Sequence, residues 1–206
     1  MTEYRQPESI PGTEKPVRFH WQLSESNERY TPEYVVNIAR GTFDNGIDLD
    51  PASNPAANAW IKARRFYTVE DDGLTAAWSG SVWLNPPYGK IDGNKSSVDA
   101  WARRCVQELT RKDRTVRELC FLIGGRHQHL TNVQALLSLE ESAALFLNER
   151  IKFLRIPGNM IGNLENFEAL EIMNQPSDNN VLIYAGPNRE RFAEFGFPFG
   201  VVLGVI

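Results

Sequence analysis

Residues 81–89 read Ser-Val-Trp-Leu-Asn-Pro-Pro-Tyr-Gly, a short apolar run of strand composition that ends abruptly at Asn85. Pro86 and Pro87 have no backbone N–H to donate and hold φ at about −65°, so the chain cannot continue in a sheet ladder. Ligands of open α/β sheets bind at the carboxyl ends of the strands. At such a place the Asn85 carboxamide oxygen and the Pro86 carbonyl can both accept hydrogen bonds from one amino group, beside the flat face of Tyr88.

This tetrapeptide resembles the catalytic motif of amino-methyltransferases that use S-adenosylmethionine, in which Asp, Asn or Ser precedes Pro-Pro-aromatic. The resemblance implies that Asn85 and Pro86 hold a planar, weakly nucleophilic amine and aim its lone pair at a sulfonium methyl. Positioning and electrostatics supply most of the catalysis of such an in-line displacement. Without the resemblance, the tetrapeptide is a turn that ends a strand, as Asn-Pro dipeptides often do.

The composition is that of a globular protein, since 42% of the 206 residues are hydrophobic and 23% are charged. One folded domain is expected at this length. No apolar run approaches the roughly 18 residues of a membrane span, and the N-terminus lacks the form of a signal peptide, so we expect a cytoplasmic protein without membrane contact. Cys105 and Cys120 are expected to be buried thiols without a disulfide. The net charge of −4 argues against nonspecific coating of nucleic acid but permits a local basic docking face.

The N-terminal third predicts an arm, a helix and a cofactor turn. Residues 1–18 combine prolines with scattered charges, which is typical of a flexible arm, and the folded domain is expected at residues 19–206. Thr31 and Pro32 precede an apolar series at helical spacing and predict a helix capped by Thr31 with Pro32 in its first position. Residues 46–53 read as a buried strand with an acidic turn, followed by an Ala-rich helical stretch to about residue 64.

The turn at residues 50–53, Asp-Pro-Ala-Ser, has no glycine. In a nucleotide-binding sheet the first strand–turn–helix unit brings a carboxylate and close backbone to the cofactor. Without glycine the backbone approaches a ligand less closely, so we expect side-chain contacts there, including Asn54 and Asn58. Residues 70–74, Glu-Asp-Asp-Gly-Leu, form a second acidic turn, a pattern that is usually only a solvated loop.

The rest of the chain predicts an α/β fold. Helical spacing covers residues 98–109, and strand patterns cover residues 66–69, 119–123, 143–147, 151–154, 181–185 and 199–205. Residues 90–97 form a polar loop, and residues 156–177 form one long connection. His127 and His129 lack a third ligand at matching spacing, so no metal site is expected. Alternating strands and helices predict a Rossmann-like, doubly wound, mostly parallel sheet, with an antiparallel edge from the closely spaced last strands.

The order of these features resembles the small phage-type DNA N-6-adenine methyltransferases. The resemblance extends over roughly residues 21–204 and is carried by Tyr30-Thr31-Pro32, residues 48–53, residues 66–74, Trp78 and residues 82–89. It implies the class I methyltransferase fold, S-adenosylmethionine as cofactor, and a DNA adenine that is flipped out of the duplex and stacks on Tyr88. For a phage or prophage protein the location is the host cytoplasm.

The resemblance also implies the roles of individual residues. The catalytic residues are Asn85, Pro86, Pro87 and Tyr88. The cofactor lies against Thr31, Pro32, Asp48, Asp50, Pro51, Ala52, Asp72 and Asn85. In this arrangement Asp72 accepts a hydrogen bond from the amino group of the cofactor's adenine. Independently of the resemblance, Lys90, Lys95, Arg126, Arg150, Lys152 and Arg155 lie in or near the loops of this chain in sequence and are the expected phosphate contacts in DNA. Only twelve residues separate Asp72 from Asn85, too few for an inserted recognition domain, so low sequence specificity is expected.

Two other functions share parts of this pattern. The same tetrapeptide serves enzymes that methylate RNA bases or glutamine side chains of proteins, although those usually keep a glycine-rich cofactor turn. The second alternative is a nucleic-acid-binding or structural protein whose cofactor site has decayed. Binding of S-adenosylmethionine separates that alternative from the enzymes.

Overall fold

The computed structural model describes residues 29–91, 95–155, 171–172 and 179–204, and eleven strands lie in them. The strands are β1 (Leu49–Asp50), β2 (Arg65–Phe66), β3 (Gly80–Leu84), β4 (Lys90–Ile91), β5 (Lys95–Ser96), β6 (Val116–Gly124), β7 (Ser142–Leu147), β8 (Leu154–Arg155), β9 (Glu171–Ile172), β10 (Asn180–Ala185) and β11 (Gly200–Leu203). The helices are α1 (Glu33–Thr42), α2 (Pro55–Ile61), α3 (Ser97–Thr110), α4 (Thr131–Leu137) and α5 (Arg189–Gly196).

Seven of the strands form one sheet in the order β11-β7-β10-β6-β3-β1-β2. Strands β2, β1, β3 and β6 are parallel neighbours. Strand β10 runs antiparallel to both β6 and β7, and β11 runs antiparallel to β7. Five strands therefore share one direction, which confirms the mixed α/β fold with a mostly parallel sheet and an antiparallel edge. The pairs β4–β5 and β8–β9 form two small separate ribbons.

Both faces of this sheet are buried, because successive side chains of a strand point to opposite sides. In β3, Trp83 belongs to the core beneath α1, α2 and α5, whereas Val82 and Leu84 belong to the core beneath α3 and α4. The chain passes from β1 outward to β2 and then returns across β1 to β3. The direction of winding therefore reverses between β1 and β3, the place in an open sheet where ligands bind.

Helix α1 starts differently from the prediction. It begins at Glu33 with Pro32 as the N-cap residue, and no side chain caps its first turn. The predicted cap by Thr31 is wrong because the Thr31 hydroxyl is bound by the side chain of Asn85, which is 54 positions later in the chain. The Thr31 hydroxyl therefore bonds to a residue distant in sequence instead of to the first turn of α1.

The last third of the chain shows further differences. The predicted strand at residues 151–154 is wrong for its first three residues, since only Leu154 enters a strand. Ile151 and Phe153 are buried but lie outside the strands, so their apolar pattern reflects burial rather than strand structure. Helices α4 and α5 were not predicted, because segments of seven and eight residues show little periodicity. The expected arm at residues 1–18 and most of the long connection at 156–177 lie outside the described residues.

Within the described segments, no helix has the length and apolar character needed to cross a membrane. Cys105 in α3 and Cys120 in β6 are buried free thiols. Burial raises the pKa of both, so these thiols are packing groups rather than nucleophiles.

Candidate active site

A cavity of about 500 Å³ opens where β1 and β3 end. Its volume lies within the roughly 300–1,000 Å³ of small-molecule sites. Among the predicted site residues, the cavity is lined by Thr31, Asp50, Pro51, Ala52, Asp72, Asn85, Pro86, Pro87, Tyr88 and Arg126. Further walls come from Tyr30, Ser53, Asn54, Gly73, Trp83, Trp101, Gly124, His127, Phe153 and Asn180. Two separately predicted turns and the Asn-Pro-Pro-Tyr segment thus meet at the point where the sheet reverses its winding.

Asn85 follows directly after β3 and has one satisfied and one unsatisfied end. Its Nδ2 donates to Thr31 Oγ1 at 3.0 Å. Its Oδ1 is buried and accepts no hydrogen bond from any described residue. A buried acceptor without a donor costs about 1–3 kcal/mol, so such an atom calls for a donor from a ligand.

Of the two proline carbonyls in the motif, one accepts a hydrogen bond from the protein and the other does not. The Pro87 carbonyl accepts a hydrogen bond from the buried Ser97 hydroxyl at 2.8 Å. No donor to the Pro86 carbonyl is found in the described part of the chain. Ser97 stands at the start of α3, so this helix fixes the loop that follows β3. Asn85 Oδ1 and the Pro86 carbonyl therefore form a pair of acceptors on one rigid segment.

Tyr88 forms an aromatic wall together with His127. The Tyr88 residue is 36% exposed, and the two ring centroids are 5.2 Å apart with an interplanar angle of 43°. His127 lies in a short 3₁₀ helix, Gly125–His127, directly after β6. From the sequence, His127 was considered as half of a metal pair with His129. Its place directly after a buried strand is the signal that it belongs to the site. No cluster of three or more His, Cys, Asp or Glu suited to a metal occurs in residues 29–91, 95–155, 171–172 and 179–204.

Asp50 ends β1 and is only 2% exposed. Burial raises the pKa of its carboxyl group to about 7, although the Ala52 backbone N–H, 3.2 Å from Oδ1, acts in the opposite direction. No described cation contributes to this shift. A buried carboxylate of this kind is matched to donors that arrive with a ligand.

A glycine from another segment approaches the glycine-free turn. A Cβ atom at Gly73 would lie 1.8 Å from the Pro51 carbonyl oxygen, so only glycine permits this packing. The neighbouring Asp72 has a φ of 49°, and its carboxylate binds the Leu74 N–H at 3.3 Å and the Thr75 hydroxyl at 3.1 Å. Asp72 thus lines the cavity while its oxygens stabilise their own turn.

We expect Gly73→Ala to destabilise the protein by about 1–3 kcal/mol, because a methyl group is forced against the backbone of the Asp50-Pro51 turn. For a chain of this size that corresponds to a loss of roughly 2–4 °C in Tm per kcal/mol. Thermal unfolding followed by circular dichroism measures the shift. An unchanged Tm would show that the two turns are not packed together.

The model of the DNA N-6-adenine-methyltransferase (Dam) family matches residues 18–165, more than two thirds of the 206 residues. The chain belongs to this family. Membership confirms the resemblance drawn from the motifs, supports DNA adenine methyltransferase activity, and implies use of S-adenosylmethionine. No curated protein and no solved structure matches the chain.

Three residues expected to contact the cofactor do not line the cavity. Asp48 comes two residues before Asp50, and its carboxylate binds Arg64 at 2.5 Å and the Ser81 N–H at 2.9 Å. Pro32 is the N-cap of α1 and, unlike Thr31, does not line the cavity. The Asn58 side chain binds both backbone groups of Ala63 and closes the end of α2. These residues hold the scaffold.

Asn54 has two structural roles. Its Oδ1 caps α2 by accepting from the Ala57 N–H at 2.8 Å, and the residue also lines the cavity. The sequence predicted its contact with a ligand but not its cap.

The six basic residues expected to contact DNA phosphates are all exposed. Arg126 lines the cavity beside His127. Lys90 and Lys95 belong to the β4–β5 ribbon that follows Tyr88, and Arg150 and Lys152 precede the cavity residue Phe153. Arg155 pairs with Glu171 at 2.9 Å, an exposed ion pair of little strength that a phosphate can displace.

Proposed function

We propose that this Dam-family protein transfers the methyl group of S-adenosylmethionine to the exocyclic amino group of adenine in DNA, at the Asn85 end of the cavity. The observation that carries the proposal is the buried Asn85 Oδ1 without a donor, on the same rigid segment as the Pro86 carbonyl. A primary amine offers two N–H donors, and two neighbouring acceptors suit it.

The residues present fit the proposed cofactor. The cavity is large enough for a small nucleotide-like ligand, and the buried Asp50 carboxylate suits the hydroxyl or amino donors that such a ligand carries. We further propose the Rossmann-like class I methyltransferase fold. Support for it comes from the parallel strands β2, β1, β3 and β6 with helices on both faces, and from the reversal of winding beside the cavity.

Positioning is the main contribution of the protein to this reaction. When bound, S-adenosylmethionine supplies a methyl group on a positively charged sulfur. Asn85 Oδ1 and the Pro86 carbonyl accept the two N–H groups of the adenine amine and draw its lone pair out of conjugation with the ring. The Pro86-Pro87 backbone and the Ser97 hydroxyl keep these acceptors in place before substrate arrives, so little reorganisation is needed.

Tyr88 is proposed to hold the base itself. Its exposed ring offers a face for a base that has left the duplex, and stacking of this kind is worth about 1–3 kcal/mol. The adjacent His127 ring, whose centroid is 5.2 Å from that of Tyr88, extends this surface.

The experiment that tests the function is transfer of tritium from labelled S-adenosylmethionine to DNA, RNA and protein, followed by nucleoside and amino-acid analysis. We expect the label in N6-methyladenine of DNA. Label in RNA or in protein glutamine would assign another substrate to the same acceptors. No transfer, with no calorimetric binding of the cofactor at high micromolar concentration, would identify a decayed site.

We expect low sequence specificity, with a context of about one to three bases around the adenine. Each bidentate base contact discriminates by about 1–3 kcal/mol, and the short connection between Asp72 and Asn85 leaves only loops to make such contacts. Long-read mapping of methylated adenines in DNA treated to completion measures the context. A strict site of five or more base pairs would contradict the expectation.

The same loops predict a strong salt dependence of DNA methylation. Contacts from the exposed Lys and Arg residues to phosphates position DNA without specifying bases. Binding through them weakens as the salt concentration rises, because the release of counterions from the DNA becomes less favourable. The rate at subsaturating DNA should therefore fall steeply between low and moderate salt. A rate that is insensitive to salt would remove these residues from the DNA interface.

A further inference from the structure

Thr31 connects two parts of the site that the sequence keeps far apart. Its Oγ1 accepts the hydrogen bond from Asn85 Nδ2 at 3.0 Å, and only 3% of the residue is exposed. The hydroxyl is not used to cap α1, since Pro32 is the N-cap and no side chain bonds to the first turn. A buried hydroxyl beside the catalytic motif thus has Asn85 as its partner.

The backbone of Thr31 is held from several sides. Its carbonyl accepts a hydrogen bond from Trp60 Nε1 at 2.9 Å. The preceding residue, Tyr30, exchanges two backbone hydrogen bonds of 2.9 Å with Leu154, and its ring meets the Trp60 ring edge-on at 5.4 Å. Because the backbone on both sides of Thr31 is fixed, its Oγ1 is a fixed reference point for the Asn85 side chain.

The orientation of the Asn85 carboxamide matters because its two ends have opposite hydrogen-bonding properties. Oδ1 accepts a hydrogen bond, whereas Nδ2 only donates. The amine to be methylated presents N–H groups, so a carboxamide rotated by half a turn would set donor against donor. With Nδ2 bound to Thr31, Oδ1 is the end left without a partner.

We propose that Thr31 is a positioning residue that anchors the Asn85 carboxamide by accepting from Nδ2, so that Oδ1 is held toward the target amine. The inference rests on the proposed function. It gives Thr31 a part in the rate of transfer, distinct from contact with the cofactor.

Two substitutions at Thr31 test this role. Thr31→Val keeps the size and removes the hydroxyl, and Thr31→Ser keeps the hydroxyl. We expect Thr31→Val to lower kcat for methyl transfer to DNA at least tenfold, with the Kd for S-adenosylmethionine and the KM for DNA within about threefold of wild type. Thr31→Ser should restore kcat to within about threefold. An unchanged kcat, or a loss confined to cofactor affinity, would overturn the proposal.

Thr42→Val is the matched control. Thr42 is a fully buried threonine of α1 whose hydroxyl donates to the Ile38 carbonyl at 2.7 Å, away from the cavity. This substitution makes the same chemical change and should alter stability without altering kcat. An equal loss of kcat in Thr42→Val and Thr31→Val would assign the effect to folding and overturn the positioning role. A wild-type protein inactive on DNA would contradict the proposed function instead.

Discussion

Asn85→Ala is expected to abolish methyl transfer to DNA while leaving the affinity for S-adenosylmethionine within a few-fold of wild type. The substitution removes Oδ1, the buried acceptor that no described residue satisfies. Loss of one preorganised polar contact to the reacting group costs about 2.7–4 kcal/mol, roughly a hundred- to a thousandfold in rate. Single-turnover transfer of labelled methyl groups gives the rate, and calorimetry gives the cofactor affinity.

Asn58→Ala serves as the control for this prediction. Asn58 is also a half-buried asparagine, but its side chain binds Ala63 at the end of α2 and lies outside the cavity. Its loss should lower stability and leave the rate per folded molecule unchanged. If Asn85→Ala retained more than a tenth of the wild-type rate, Asn85 would not be the residue that holds the amine.

Asp50→Asn is expected to change stability and cofactor binding in opposite directions. In the free protein, burial raises the pKa of Asp50 from 3.8 to about 7, so the folded state favours the protonated form. The stability from this group is fully present below about pH 4 and is lost as the pH rises through 7. Above that range the buried carboxylate costs about 4 kcal/mol, because each pKa unit corresponds to about 1.4 kcal/mol.

The neutral amide removes that cost and can still accept from the Ala52 N–H. We therefore expect Asp50→Asn to raise Tm at pH 8, with little difference from wild type near pH 4. The affinity for S-adenosylmethionine should fall tenfold or more, since a hydrogen bond to a charged acceptor is worth about 1.5–3 kcal/mol. Thermal unfolding at the two pH values and calorimetric titration measure the two effects. A lower Tm at pH 8 with unchanged affinity would make Asp50 a structural residue.

The same carboxylate predicts how cofactor binding depends on pH. If the ionised form accepts hydrogen bonds from the cofactor, wild-type affinity should decline by up to about tenfold per pH unit below about pH 7. Asp50→Asn provides the reference, because it has no proton to lose and should show a flatter profile. Parallel profiles for the two proteins would show that another group governs the pH dependence.

Much of the fold and part of the site were predictable from short-range rules. Strand β3 ends where two prolines forbid further pairing, and β1 is followed by its turn and α2 as the pattern indicated. These features depend on neighbouring residues, so local sequence is sufficient to predict them. Helices α4 and α5 were not predictable in this way, because such short helices are stabilised by packing against the sheet rather than by their own sequence pattern.

Inside the site, local sequence and tertiary structure contributed different things. The sequence by itself determined that Asn85 is followed by a rigid Pro-Pro segment, that Asp50 ends a buried strand, and that the order of motifs is that of the Dam family. Only the tertiary structure decided which side chains meet. It bound Thr31 to Asn85, brought Gly73 against Pro51, set His127 beside Tyr88, and turned Asp48 away to Arg64 and the β3 backbone. The physical reason is that prolines and strand ends act through the backbone within a few residues, whereas the partner of a buried polar group depends on how distant elements cross.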